Sequence, residues 1–191
     1  MTQPTTTLAR IKAEKPCRRF WRRGLRKAGG LHKYGPETPI TVRQIVEAVG
    51  LNAALWCLQT MPEHDRRWRL LAVRYARRVQ HSMPASCAYA LDVAERYMRG
   101  LATAGELADA RKDAEAAAWA ALRALRAEAE WAASWIAAET TAGSAVLAPW
   151  RVVEWIYCTT YWGASYCPAT QTVEREWQAA ELIRICEEDF K

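Results

Sequence analysis

The chain has 191 residues, a formal net charge of +6 and 51% hydrophobic residues, among which Trp (10) far outnumbers Phe (2). That length buries a core without disulfide or metal staples, and no segment approaches the roughly 20 uninterrupted apolar residues of a membrane span. The charge is uneven: residues 1–50 hold 11 Lys/Arg against 3 Asp/Glu (+8), residues 51–99 hold 8 against 4 (+4), and residues 100–191 hold 8 against 14 (−6). A basic half is joined to an acidic half, which bears on partners and solubility rather than on fold.

Residues 1–15 are Thr-rich and then basic, without a sustained apolar period, and read as a mobile arm with a short helical turn. PCRRFWRRGLRKAGG follows, dense in Arg, and reads as one short helix ended by Gly29 and Gly30. LHKYGPETP is a loop by its Gly-Pro and Thr-Pro content.

At Thr41 the spacing Thr-Val-Arg-Gln predicts a capping box, in which the Thr41 hydroxyl accepts the Gln44 N–H and the Gln44 side chain reaches back. Val42, Ile45, Val46 and Val49 then share a face, and Gly50 ends the helix. After the apolar LNAALWCL, Pro62 opens a second helix from Glu63 to about Met83. Its apolar positions Trp68, Leu71, Ala72, Tyr75, Ala76 and Val79 recur at three and four residues, with arginines between them. A third helix is expected from about Ala85 to Arg99, closed by Gly100.

Thr103-Ala-Gly-Glu106 is a second capping box, and from Thr103 to about Thr140 there is no proline while Ala fills nearly every other position. The expected fold is therefore all-α, a multi-helix bundle around one long Ala-rich helix of residues 103–140, roughly 50 Å long at 1.5 Å per residue. On a wheel with Trp119 at zero, Leu107, Ala114, Ala118, Ala121, Leu122, Leu125, Ala129, Ala132 and Ile136 fall between about 200° and 300° as a core-facing stripe. Lys112, Glu115, Arg123, Arg126 and Glu130 gather within about 40° of zero. Trp119 thus sits among charges. Trp150, Val153 and Tyr157 suit another helix, Pro168 marks a loop, and Thr172 to about Asp189 forms the last helix. Residues 1–40 are expected as a basic arm with a short helix, and residues 41–191 as one bundle domain.

The chemistry-bearing patterns are sparse. The six cysteines, Cys17, Cys57, Cys87, Cys158, Cys167 and Cys186, form no CxxC pair and read as reduced thiols used as small apolar residues. The three histidines, His32, His64 and His81, make no HExxH and no His/Cys ligand spacing, so no metal and no cofactor is expected. Gly24-Leu-Arg-Lys-Ala-Gly29-Gly30 starts with phosphate-loop spacing and then lacks the required Lys and hydroxyl. A non-enzymatic protein is the expectation.

What remains is the arginine-dense stretch and one misplaced aromatic. Arg18, Arg19, Arg22, Arg23, Arg26 and Lys27, interleaved with Phe20 and Trp21, suit phosphate neutralisation with ring stacking. The same pattern equally suits a solvated helix whose rings face the core, or a basic surface docking on an acidic protein. Trp119, flanked on its face by Arg123 and Arg126, is either covered by another part of the chain, such as the arm before Thr41, or held for a partner. The N-terminus has basic residues but no apolar h-region, from which a cytoplasmic protein is expected.

AYALDVAERYMRGLATAGELADAR (88–111), the alanine-periodic helix with interspersed Trp after it, and the closing WQAAELIRICEEDF resemble a family of small helical proteins of phages, prophages and actinobacteria that are labelled immunity proteins. The likeness runs from about Trp68 to the end; the Arg-rich first 40 residues depart from it. The resemblance implies a protein that binds and blocks another protein, a toxin or a host-defence component, as an immunity or counter-defence (anti-CRISPR-like) inhibitor. Nucleic acid is the alternative partner, and an alanine face closes a homodimer as readily as a monomer core.

Overall fold

A computed structural model describes residues 3–29, 34–78, 80–123, 135, 137–138, 141 and 168–188. The described chain is all-α apart from one two-stranded ribbon, and it divides into two compact units, residues 1–64 with 175–191, and residues 65–174.

The first unit is built on a short ribbon that the sequence conceals. Strand β1 (Thr5–Thr6) pairs antiparallel with β2 (Ile40–Thr41), Thr5 opposite Thr41 and Thr6 opposite Ile40. Helix α1 (Leu8–Ala13) follows, capped by the Thr7 hydroxyl accepting the Arg10 N–H at 3.2 Å, and it buries Leu8 and Ile11. The expected mobile arm is therefore a folded segment: its two apolar residues are buried at 7% exposure each, and the Thr6 and Thr60 hydroxyls share a buried 2.6 Å hydrogen bond.

Helix α2 (Arg18–Ala28) is ended by Gly29, whose φ of 95° is the left-handed cap that a residue with a Cβ takes only under strain. Helix α3 (Val42–Val49) starts at the expected capping box. The Gln44 N–H donates to the Thr41 hydroxyl at 3.2 Å, and the Thr41 N–H donates to the Gln44 side-chain Oε1 at 2.9 Å. Gly50, at φ 106°, turns the chain directly into α4 (Leu51–Cys57), an apolar run too short to show a helical period by itself. Arg43 clamps Glu187 with two hydrogen bonds of 2.8 and 2.9 Å within this unit.

In the second unit α5 (Asp65–Arg77) presents the expected stripe, with Trp68, Leu71, Ala72, Tyr75 and Ala76 at 0% exposure. It is shorter than the expected span ending near Met83. Arg67 and Arg69 are buried as well, and the Arg69 guanidinium lies 5.9 Å from the centre of the Tyr97 ring. Burial lowers the Arg69 pKa from its usual value, against the pull of Asp65. Helix α6 (Ala85–Met98) matches its expected bounds and packs on α5 and, more extensively, on α7 (Ala104–Arg123).

Helix α7 starts at the second capping box, with Glu106 N–H to the Thr103 hydroxyl at 3.1 Å and Thr103 N–H to the Glu106 carboxylate at 2.7 Å. The Thr103 N–H and the Thr103 hydroxyl, which also donates to the carboxylate at 3.1 Å, together with Arg96 nearby, hold the Glu106 carboxyl below the usual carboxylate range. Leu107, Ala110, Ala114 and Ala118 form the buried stripe. The expected helix to residue 140 is described only through Arg123. Trp119 and Trp135 do not lie on one straight rod: sixteen residues of helix rise would be about 24 Å, whereas their ring centroids are 5.6 Å apart. Beyond Arg123, Trp135 and the buried Ala137 and Ala138 are helical.

The last described helix, α8 (Pro168–Glu187), opens on the proline expected in a loop. Proline fits the first helical position because no N–H is required there. The helix expected at Trp150–Tyr157 lies outside the described residues.

Candidate functional site

Eleven residues of α2 carry six cations and no acid. At about 100° per residue, with Arg18 at zero, Arg22, Arg26, Arg19, Arg23 and Lys27 follow at roughly 40°, 80°, 100°, 140° and 180°. Phe20, Gly24, Ala28, Trp21 and Leu25 occupy the other half, from about 200° to 340°. One half of the helix is thus wholly cationic and the other wholly apolar. The six cationic residues are exposed.

This surface works against its own helix. Arg18 and Arg19 stand in the first turn, where the helix dipole favours acids, and no acid stands there. Arg18–Arg22, Arg19–Arg23, Arg22–Arg26 and Arg23–Lys27 are like-charge pairs at four-residue spacing, each unfavourable by roughly 0.2–0.5 kcal/mol. Only Arg26 and Lys27, in the last turn, complement the dipole.

Several arginines elsewhere are paired with carboxylates. Arg10 meets Glu63 with two bonds of 2.9 and 3.0 Å, Arg43 meets Glu187, Arg77 meets Asp92 and Glu95, Arg96 meets Glu106, Arg111 meets Glu115, and Arg184 meets Glu181 and Glu188. Among the described residues, none of Arg18, Arg19, Arg22, Arg23, Arg26 or Lys27 makes an ion pair or a side-chain hydrogen bond.

Trp21 is not on the cationic half. It is half-buried and lines, with Gly24 and Leu25, an apolar groove closed by Leu8 and Ile11 of α1, Ile45, Ala48 and Val49 of α3, and Ala53 and Cys57 of α4. The groove was not foreseen, although Trp21, Gly24 and Leu25 stand at the three- and four-residue spacing that would have placed one wall of it. Burial pushes the Cys57 thiol up to about 12, which keeps it protonated and unreactive. Cys87 and Cys186 are buried free thiols and Cys17 is exposed, as expected of small apolar residues for the buried ones; Cys158 and Cys167 lie outside the described residues.

Trp119 is exposed at 49% and meets the Trp135 ring edge to face. Arg123 is the last residue of α7, and Arg126 lies outside the described residues. The expected contact set is therefore divided: Arg18 to Lys27 belong to the first unit, and Trp119 and Arg123 to the second. Among the described residues no three His, Cys, Asp or Glu side chains come together as a metal site, and no helix is long and apolar enough to cross a membrane.

Comparison with protein-family models, with curated proteins and with solved structures gives no match to this chain.

Proposed function

We propose that the chain acts by stoichiometric binding and not by catalysis, and that the cationic half of α2 docks on an acidic surface of another protein. One observation carries this. Six cations are held on one helix with no ion pair among the described residues, and with like charges at four-residue spacing, while Arg10, Arg43, Arg77, Arg96, Arg111 and Arg184 each meet a carboxylate. A fold has no use for such an arrangement; a complementary surface does, because it raises the encounter rate and fixes register. The resemblance to phage and actinobacterial immunity proteins points the same way, to an inhibitor of a toxin or of a host-defence component.

The same cations favour a second reading, contact with nucleic-acid phosphates. Trp21 argues against a stacking mode, since its ring lines the groove and not the charged half. Affinity capture from a bacterial lysate with the full chain separates the two. A nuclease-resistant, stoichiometric acidic protein, lost with Arg22→Ala plus Arg23→Ala, is the expected result. Recovery of nucleic acid alone, retained with a steep loss on added salt, overturns the protein reading.

A further inference from the structure

We infer that the groove beside α2 receives one bulky apolar side chain of the docking protein, so that the partner's contact segment is acidic with a single aromatic or aliphatic anchor. The inference rests on the binding role of α2 proposed above.

Gly24 is the telling residue. It sits in the interior of α2, where glycine is among the poorest helix formers, and its φ is not in the left-handed region that would call for glycine. A Cβ built at Gly24 meets nothing within 4 Å. Neither backbone geometry nor close packing accounts for the glycine. What its missing side chain does is leave the groove open between Trp21 and Leu25 on one side and Ala48 and Val49 on the other.

The space inside is about 60 Å³. One water needs roughly 10–15 Å³ by the same kind of measure, so the groove takes one side chain and not a cofactor. Gln44 and Tyr34 also line it, but the surface it exposes is almost wholly apolar, which favours an apolar occupant.

The charge arrangement names the rest of the occupant. On the helix wheel Leu25 and Trp21, at about 340° and 300°, adjoin Arg18 and Arg22 at about 0° and 40°. An apolar group entering the groove therefore brings its flanking residues against unpaired guanidinium groups, which match carboxylates. A buried apolar anchor with a polar rim is the usual anatomy of a protein contact.

The test uses two fluorescein-labelled helical peptides of Glu and Ala, identical except for Phe or Ala at the centre, titrated against the full chain by anisotropy. The Phe peptide is expected to bind about tenfold tighter or more, from burial of one aromatic side chain. Gly24→Leu, which fills the groove from α2, should reduce the Phe peptide to the affinity of the Ala peptide while leaving the Ala peptide unchanged. Ala48→Leu fills it from α3 and is the second variant, with circular dichroism confirming that each folds.

Equal binding of the two peptides by the native chain overturns the anchor and leaves the charged surface standing. No binding of either overturns both. A Phe preference that survives Gly24→Leu and Ala48→Leu puts the anchor elsewhere and overturns the assignment. Partition onto phosphatidylglycerol vesicles that Gly24→Leu abolishes, with no discrimination between the peptides, gives the groove to a lipid chain and overturns it as well.

Discussion

The rings of Trp119 and Trp135 meet edge to face, with centroids 5.6 Å apart and planes inclined at 79°. Such pairs contribute roughly 0.5–1.5 kcal/mol beyond the area they bury. The contact is tertiary, because sixteen residues along one helix would hold the rings about 24 Å apart. A double-mutant cycle with Trp119→Leu and Trp135→Leu, followed by urea denaturation, should therefore return a coupling of about 0.5–1.5 kcal/mol. Strictly additive losses would remove Trp119 as a packing residue and leave only its exposed edge to explain.

The buried stripe of α7 is made largely of small residues. Ala114 and Ala118 are fully buried on the stripe that also holds Leu107 and Ala110, which leaves no room for a larger side chain at either position. Ala114→Leu should cost about 1–3 kcal/mol by overpacking. Ala116→Leu, on the exposed side of the same helix, should fall within about 0.5 kcal/mol of the native chain. Equal urea midpoints for the two variants would refute the packing assignment.

Local chemistry was legible and long-range geometry was not. The capping boxes at Thr41 and Thr103, the glycine that ends α2, the stripe of α5 and the Leu107, Ala114 and Ala118 part of the α7 stripe all follow from spacings of three or four residues, and each is present; the rest of the α7 stripe lies outside the described residues. The ribbon was hidden because two-residue strands carry no period, and Thr5 meets Thr41 only through the fold. Pro168 serves a loop or a first helical turn equally well, so its role could not be read locally. Burial of Arg67 and Arg69 between apolar positions depends on what packs over α5. The six cations of α2 could be listed from the sequence, but their lack of ion pairs among the described residues depends on where the fold places the carboxylates. The groove was out of reach for the same reason, since three further helices complete it.

Acid should weaken the first unit through Glu63. Its two hydrogen bonds from Arg10 hold the carboxyl below its usual range. A lowered folded pKa means that the stabilisation is fully present above the unfolded value, near 4.5, and is lost as pH falls through the folded one. The side chains are 41% and 47% exposed, so solvent screening keeps the contribution below about 1 kcal/mol. Glu63→Gln should therefore lower the Tm slightly at pH 7, and the difference from the native chain should close in strong acid. A gap that stays constant across that pH range would show that the pair contributes nothing through charge.

The conflict within α2 yields the sharpest trade between stability and binding. Arg18→Glu removes the like-charge pair with Arg22, creates an acid followed by a base at four-residue spacing, and places a negative charge in the first turn. All three changes favour the helix, by roughly 0.5–1.5 kcal/mol together, and Arg18 has no ion-pair partner to lose. Urea denaturation at low salt should show the variant more stable than the native chain, with the gain shrinking in 1 M NaCl as the charges are screened. Binding to the Glu-rich peptides should move the other way, because one cation is lost and one repulsive carboxylate is gained. A variant that is both more stable and an equal binder would show that the charged half of α2 is decoration. One that is less stable would show that Arg18 is held by a contact within the fold.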